Sequence, residues 1–371
     1  MTNVKSLSSW QLYGLMLLFQ LGTSVVFGIA SSAKQDAWIT AGISVFLGTG
    51  LLWMYSKLYE TRANVNWSGL LTFAFGRYIG AISSVGYVFI FIYSAARNLR
   101  DIGELTNNFL LPTTPMWIIM VIFQILVTYV CYAGVQRMGK LAELNVPIII
   151  FLFLLQIILL VASQTMRLSL LTPVAAEWRP IITAVFPASL TVPYAEVFAF
   201  AAFWSATMPP KGFRKVAILS AATAGMMFMV LDILAVSTLG PEVFSRSFFP
   251  LMTTFHMVNI ADFIQNLDPF IVTNYMTSVL FKISIFTYAA CSMISDQWKM
   301  NRHQAAVIPV SVIVCLFALY MADNLSSHLF TGHQWAVWVI FLPFFVFVPM
   351  LTLLAIKLKS MLQFNPSKGD G

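Results

Sequence analysis

Charge is what this sequence has least of. Asp, Glu, Lys and Arg together make up 9% of its 371 residues, against roughly a quarter in an ordinary soluble domain, which excludes a water-soluble globular chain. Cysteine is almost as scarce. Cys131, Cys291 and Cys315 lie in separate apolar stretches, so they form no metal-ligand spacing and read as small buried hydrophobes. The first apolar run is too long for a signal peptide and is followed by no small-residue cleavage pattern. No nucleotide loop, hydrolase triad or metal cluster is present, so no enzyme, cofactor or metal is expected. His256, His303, His328 and His333 fall mostly in expected loops without ligand spacing.

What is there is apolar. The chain is 59% hydrophobic, with 32 Phe and 10 Trp, and its apolar runs recur along nearly the whole length, the pattern of a polytopic helical membrane protein. Ten spans are expected near 10–32, 37–58, 79–105, 115–134, 142–161, 181–207, 214–239, 261–293, 305–322 and 334–357. Spans one, three, six and eight exceed the ~20 residues of a perpendicular crossing, so they tilt, break or run past the interface. Pro147 suits the first turns of span five, and Pro343 and Pro349 predict kinks in span ten. Residues 1–363 read as one transmembrane domain and 364–371 as a short loose tail. With the N-terminus inside, 14 of the 21 Lys and Arg lie on the cytoplasmic side, which predicts both termini there. The same bias accounts for the formal charge of +7 through anionic lipid rather than nucleic acid.

The first span reads WQLYGLMLLFQLGTSVVFGIASS, with Gly22, Thr23 and Ser24 at its centre and Gly28 one turn later. In lipid, open backbone is tolerated only where protein or a water-lined cavity covers it. The small residues therefore mark either a broken helix at a ligand site or a close helix crossing. Span six carries a second interruption in FPASLTVPYAEVFAF, where Pro187 and Pro193 make a continuous helix untenable. Breaks in the first span of each set of five point to an inverted-repeat transporter fold, with repeats near 10–161 and 181–357. Freed amides at Gly22, with the hydroxyls of Thr23 and Ser24, suit an anionic group. Freed carbonyls from Leu190 through Thr191 to Pro193 suit an ammonium group, and together the two ends suit a zwitterion such as a small amino acid. The alternative is that Thr23 and Ser24 bond back to their own helix.

Ionisable residues within the hydrocarbon face a bundle interior, a partner or a pathway. Glu196 meets that description: it holds a proton, pairs with Lys282 or caps backbone opened by Pro193. Asp232 in span seven and Lys282 in span eight form a possible buried charge network, which can be purely architectural. Arg97, Arg100, Asp101 and Glu104 sit at helical spacing near the end of span three and read as a solvated helix end with an Arg97–Asp101 pair. Asp262 and Asp268 flank the start of span eight, where negative charge suits a helix N-terminus.

Five stretches in combination resemble the B-type subunits of spore germinant receptors: SSWQLYGLMLLFQLGTSVVFG, KQDAWIT, LRDIGELTNNFLLPTTPMW, PYAE and the ADF-x5-D element at Ala261–Asp268. The similarity runs from about Ser9 to Lys359. That family is similar to amino acid/polyamine/organocation transporters, whose fold has broken spans one and six. The resemblance implies a multi-pass protein of the spore inner membrane, beside an A-type membrane subunit and a C-type lipoprotein. It also implies the sensing of a nutrient such as an amino acid, which starts germination. The ligand region it implies is Gly22, Thr23 and Ser24 with the span-six segment ending at Glu196. Two departures stand out: VVFGIASS lacks the proline usual near that helix exit, and span five lacks the lysine that some proton-coupled relatives place beside the site. Two other readings remain, a proton- or sodium-coupled amino acid permease and a structural subunit with a vestigial pocket.

Overall fold

A chain in hydrocarbon has to pair its own backbone polar groups, which is why long apolar runs become helices. The structure is a computed structural model that describes residues 6–28, 30–257, 259–260, 264–265, 268–300 and 302–363. Asp262 and the 364–371 tail lie outside the described residues. Among those residues, nine helical stretches are long and apolar enough to cross a bilayer, with one shorter apolar helix beside them.

Span one is α1 (Ser9–Leu21) followed by the single turn α2 (Ser24–Phe27), and span two is α3 (Ala37–Thr61). The short α4 (Trp67–Phe75) leads into α5 (Arg77–Phe109), and α6 (Met116–Ala133) and α7 (Val135–Ala162) complete the first five spans. Span six runs from α8 (Trp178–Ala184) through a π-helical stretch, Val185–Tyr194, into a 3-10 stretch, Ala195–Ala206. Span seven is α9 (Pro210–Leu239), followed by two short helices, α10 (Pro241–Arg246) and α11 (Pro250–His256). The two-residue strands β1 (Asn259–Ile260) and β2 (Ile264–Gln265) pair antiparallel, Asn259 opposite Gln265. Span eight is α12 (Asp268–Gln297), and the shorter apolar helix is α13 (Gln304–Tyr320). Its 17 residues reach about 26 Å at ~1.5 Å per residue, just short of a typical hydrocarbon core. After α14 (Leu325–Phe330), span ten consists of π-helical turns, Val337–Phe347, and α15 (Val348–Gln363).

Span one is the axis of the bundle. Every residue of α1 from Leu12 to Leu21 is buried, and the helix packs against α7, α9 and α12. A capping box starts it, with Ser8 Oγ accepting from the Gln11 amide and Gln11 Oε1 accepting from the Ser8 amide. Around this axis α3 lies along α9 and α5 along α12. The outer faces of α6, α7 and α13 expose Ile122, Ile125, Phe151, Ile158 and Ile308, as lipid-facing surfaces do.

Two expectations about proline change. Helix α7 begins at Val135, so Pro147 lies in its interior rather than in its first turns. In span ten the irregularity gathers around Pro343, where the helix widens into π turns, while Pro349 occupies the first turn of α15. Val348 continues helically from those turns, so Pro349 cannot donate back to Phe345 O, the carbonyl that Tyr55 Oη reaches.

Carbonyls at these irregular turns find side-chain donors. Tyr87 Oη donates to Phe344 O at 2.5 Å, and Tyr55 Oη donates to Ala195 O at 3.2 Å and also to Phe345 O. Tyr55 thereby ties the interrupted span six to the interrupted span ten. Tyr55→Phe leaves two buried carbonyls short of a donor and is expected to cost about 1–3 kcal/mol. Thermal unfolding of the purified protein measures it, and an unchanged midpoint rules out a structural role for the bridge.

Candidate ligand site

Span one breaks where its sequence is smallest. Gly22 takes φ +25° and ψ −129°, a conformation that a side chain would strain, and its amide donates to Leu18 O at 3.0 Å. The close approach comes from α12: a β-carbon on Gly22 would collide with Lys282 Cδ and lie 2.9 Å from Phe19 O. Lys282 Nζ reaches 2.7 Å from Glu196 Oε2, with both side chains buried. Among the described residues, Nζ and the two Glu196 oxygens have no other polar partner. The pair therefore acts through charge, and it stoppers the span-one break from the α12 side.

The break in span six lies at Phe186 and Val192, whose backbone leaves the helical region. The two interruptions face a small cavity lined by Ser24, Ser44, Ser189, Pro193, Tyr194 and Asp232. Its volume is small, about 30 Å³. Gly28 also borders a wider vestibule, lined by Ser31, Ser32, Thr183, Gln334 and Trp338. Gly28 thus belongs to the walls of both, which sets the vestibule next to the cavity. At the vestibule end, Lys34 Nζ lies 2.5 Å from a Glu242 carboxylate oxygen. The hydrogen bond and charge of Lys34 hold that exposed carboxyl below its ordinary range. The pair is therefore formed at neutral pH and weakens as acid protonates Glu242.

The predicted site residues divide between the cavity and its walls. Ser24 and Pro193 line the cavity. Thr23 Oγ1 instead donates to Asn98 Oδ1 on α5 at 3.2 Å, and Gly22 and Glu196 pack around Lys282. Thr191 Oγ1 donates back to Pro187 O and Ala188 O, both at 3.0 Å, and Leu190 is half-buried outside the cavity lining. Of the carbonyls expected to be free, Leu190 O and Thr191 O share the Ala195 amide. Among the described residues no ion pair joins Asp232 to Lys282. Lys282 is held by Glu196, and Asp232 lines the cavity.

Ser44, Ser189 and Tyr194 were missed. On α3, Thr40, Ser44 and Gly48 recur every four residues, a small-residue stripe that marks a close-packed face and was the available signal. Ser189 and Tyr194 lay inside the very stretch identified as broken. Nothing local distinguished them from Leu190 and Thr191.

The expected solvated end of span three is a buried network. Arg100 Nη2 lies 2.7 Å from Glu104 Oε1, and Asp101 Oδ1 lies 2.7 Å from His328 Nε2 of α14. Arg97 pairs with neither; its guanidinium stands 5.7 Å from the Phe341 ring centroid. All four charged side chains of this helix face are interior. At span eight, Asp268 Oδ2 lies 2.8 Å from His256 Nδ1.

Comparison with known proteins places these features in a family. A profile described as "Spore germination protein" matches residues 6–326. "Spore germination protein KB" of Bacillus subtilis (strain 168) is 26% identical over 361 residues, covering 97% of this chain and 96% of the relative. "Putative spore germination protein YfkT" of the same organism is 24% identical over 299 residues, 79% of this chain and 80% of the relative. Among solved structures, the crystal structure of MhsT in complex with L-phenylalanine superposes with a TM-score of 0.65 at 12% identity. It covers 96% of this chain and 98% of that one. The likeness establishes the fold as an all-α, five-plus-five inverted-repeat transporter architecture.

Proposed function

Because the chain belongs to the spore germination protein family, we propose that it is the nutrient-sensing membrane subunit of a germinant receptor. A small nutrient such as an amino acid enters through the vestibule and binds between spans one and six. Ligand binding shifts the helices toward a closed arrangement only insofar as that arrangement binds the ligand better. The shift passes to an A-type membrane subunit and a C-type lipoprotein. The protein works as one transmembrane unit of two halves, near 10–161 and 181–357, in the spore inner membrane, with both termini cytoplasmic as the basic residues indicate.

The observation that carries the reading is the meeting of the two helix interruptions at one buried cavity, reached from a vestibule that shares Gly28 with it. A second observation favours sensing over ion-coupled carriage: the buried ammonium of Lys282 already stands at the span-one break, the kind of position a coupling cation takes in transporters. Spores whose only receptor contains this chain, exposed to a nutrient panel, test the proposal. At least one nutrient should trigger germination, and Ser44→Leu, which fills the cavity, should abolish that response while the receptor still assembles. An unchanged response in Ser44→Leu spores discards the cavity as the sensing site. Accumulation of a radiolabelled amino acid by vesicles of the purified protein, stopped by a protonophore, replaces the sensor with a permease.

A further inference from the structure

A carboxylate lies in the cavity with nothing to balance it. Asp232, on α9, is 5% exposed and lines the cavity beside Pro193 and Tyr194. Among the described residues it has no hydrogen bond or ion pair, and the cation of span eight, Lys282, is already held by Glu196. A buried carboxyl carries its charge readily only where a cation stands beside it, so a site of this kind gains most from a ligand that brings one. Two further groups await a partner at the same place. The hydroxyls of Ser24 and Ser44 are buried, belong to cavity-lining residues and, among the described residues, have no hydrogen-bond partner. The remaining wall is largely apolar, with Phe228 and Leu231 of α9 and Leu251 of α11.

Granting that the cavity is the sensing site, we propose that it selects a small molecule bearing a protonated amine. The ammonium pairs with Asp232 and donates to the Ser24 and Ser44 hydroxyls, and a short apolar remainder lies against Phe228, Leu231 and Leu251. The amine is thereby read by a side chain of span seven, and not by the span-six carbonyls of Leu190 and Thr191, which accept from Ala195. The free space of about 30 Å³ is that of roughly one water molecule, so the ligand is admitted only as the helices part, and a short remainder is favoured. Neutral and anionic analogues of the same shape are disfavoured, because they bring no cation to the Asp232 carboxyl.

Matched probes on the full-length protein in lipid nanodiscs test this, with the thermal unfolding midpoint as readout. The probes are L-alanine, ethylamine, L-lactate and propionate, each across the same concentration series. L-Alanine and ethylamine should raise the midpoint, and lactate and propionate should not. Asp232→Asn should weaken the two amines by about 10-fold or more, as loss of a desolvated charge partner does, while Asp232→Glu should keep the order of preference. Stabilisation by lactate equal to that by L-alanine overturns the amine proposal and leaves the sensing site standing. So does a folded Asp232→Asn protein that binds the amines as the wild type does. Should Asp232→Asn fail to fold, the wild-type contrast between L-alanine and L-lactate decides by itself. No response of the wild type to any probe removes both this proposal and the ligand site on which it rests.

Discussion

Lys282→Met lowers the unfolding free energy by about 3–5 kcal/mol, because it strands the Glu196 carboxylate where the ammonium stood 2.7 Å away. Glu196→Gln strands the ammonium and costs a similar amount. The double variant, Glu196→Gln with Lys282→Met, is expected to recover much of the loss, since no uncompensated charge remains and methionine still fills the space against Gly22. A double-mutant cycle on purified protein, followed by chemical or thermal unfolding, measures the coupling. Equal and additive losses would show that the pair contributes shape and not charge. Glu60 supplies the control: it pairs with Lys57 and Arg214 at a half-exposed position, where loss of a charge changes stability by about 1 kcal/mol or less. The expected contrast is therefore between a buried pair at the helix break and a solvated one at the rim.

Gly48→Ala is expected to destabilise the protein by about 1–3 kcal/mol through overpacking and to blunt any response mediated by the cavity. A β-carbon at Gly48 would lie 2.5 Å from Tyr194 Cγ, 2.8 Å from Cδ1 and 2.9 Å from Cβ. These atoms belong to the base of the side chain, so the ring cannot simply swing away, and α3 and the span-six segment have to separate. Gly225 closes the other side of the same slot: a β-carbon there would lie 2.8 Å from Tyr194 Oη. Tyr194 directly follows Pro193 and lines the cavity, so moving it reshapes the site. Gly50→Ala, one half-turn along the same helix, meets nothing within 4 Å. That substitution is neutral or stabilising by up to about 1 kcal/mol, the ordinary preference of helices for alanine. Opposite signs for two glycines two residues apart identify the Tyr194 slot. Destabilisation by Gly50→Ala of the same size as by Gly48→Ala points to a general effect on α3 instead.

Several features were legible because they are local. Long apolar runs had to be spans, since lipid offers the backbone no other partner. The breaks at Gly22 and at Pro187–Pro193 followed from residues that cannot continue a helix in place. Their matched positions indicated the inverted-repeat fold before any helix was located. The ends of the spans were less legible. The turns before residue 142 already belong to α7, and their polar residues hid the continuation.

Which side chains share a site was decided by tertiary structure alone. Thr23 and Ser24 are neighbours with similar hydroxyls, yet one turns to Asn98 and the other to the cavity. Asp232 and Lys282 both looked like members of one buried network. The rotation of α9 and α12 about their axes instead gave Lys282 to Glu196 and left Asp232 beside Ser24. Arg97, Arg100, Asp101 and Glu104 looked solvated, yet all four are buried, and α14, more than 200 residues later in the chain, supplied His328 to Asp101. Backbone preference acts over a few residues, and so the sequence by itself determined where helices run and where they break. Burial and pairing depend on the packing of segments far apart in the chain, and that packing placed Asp232 on the cavity wall, away from Lys282 and Glu196.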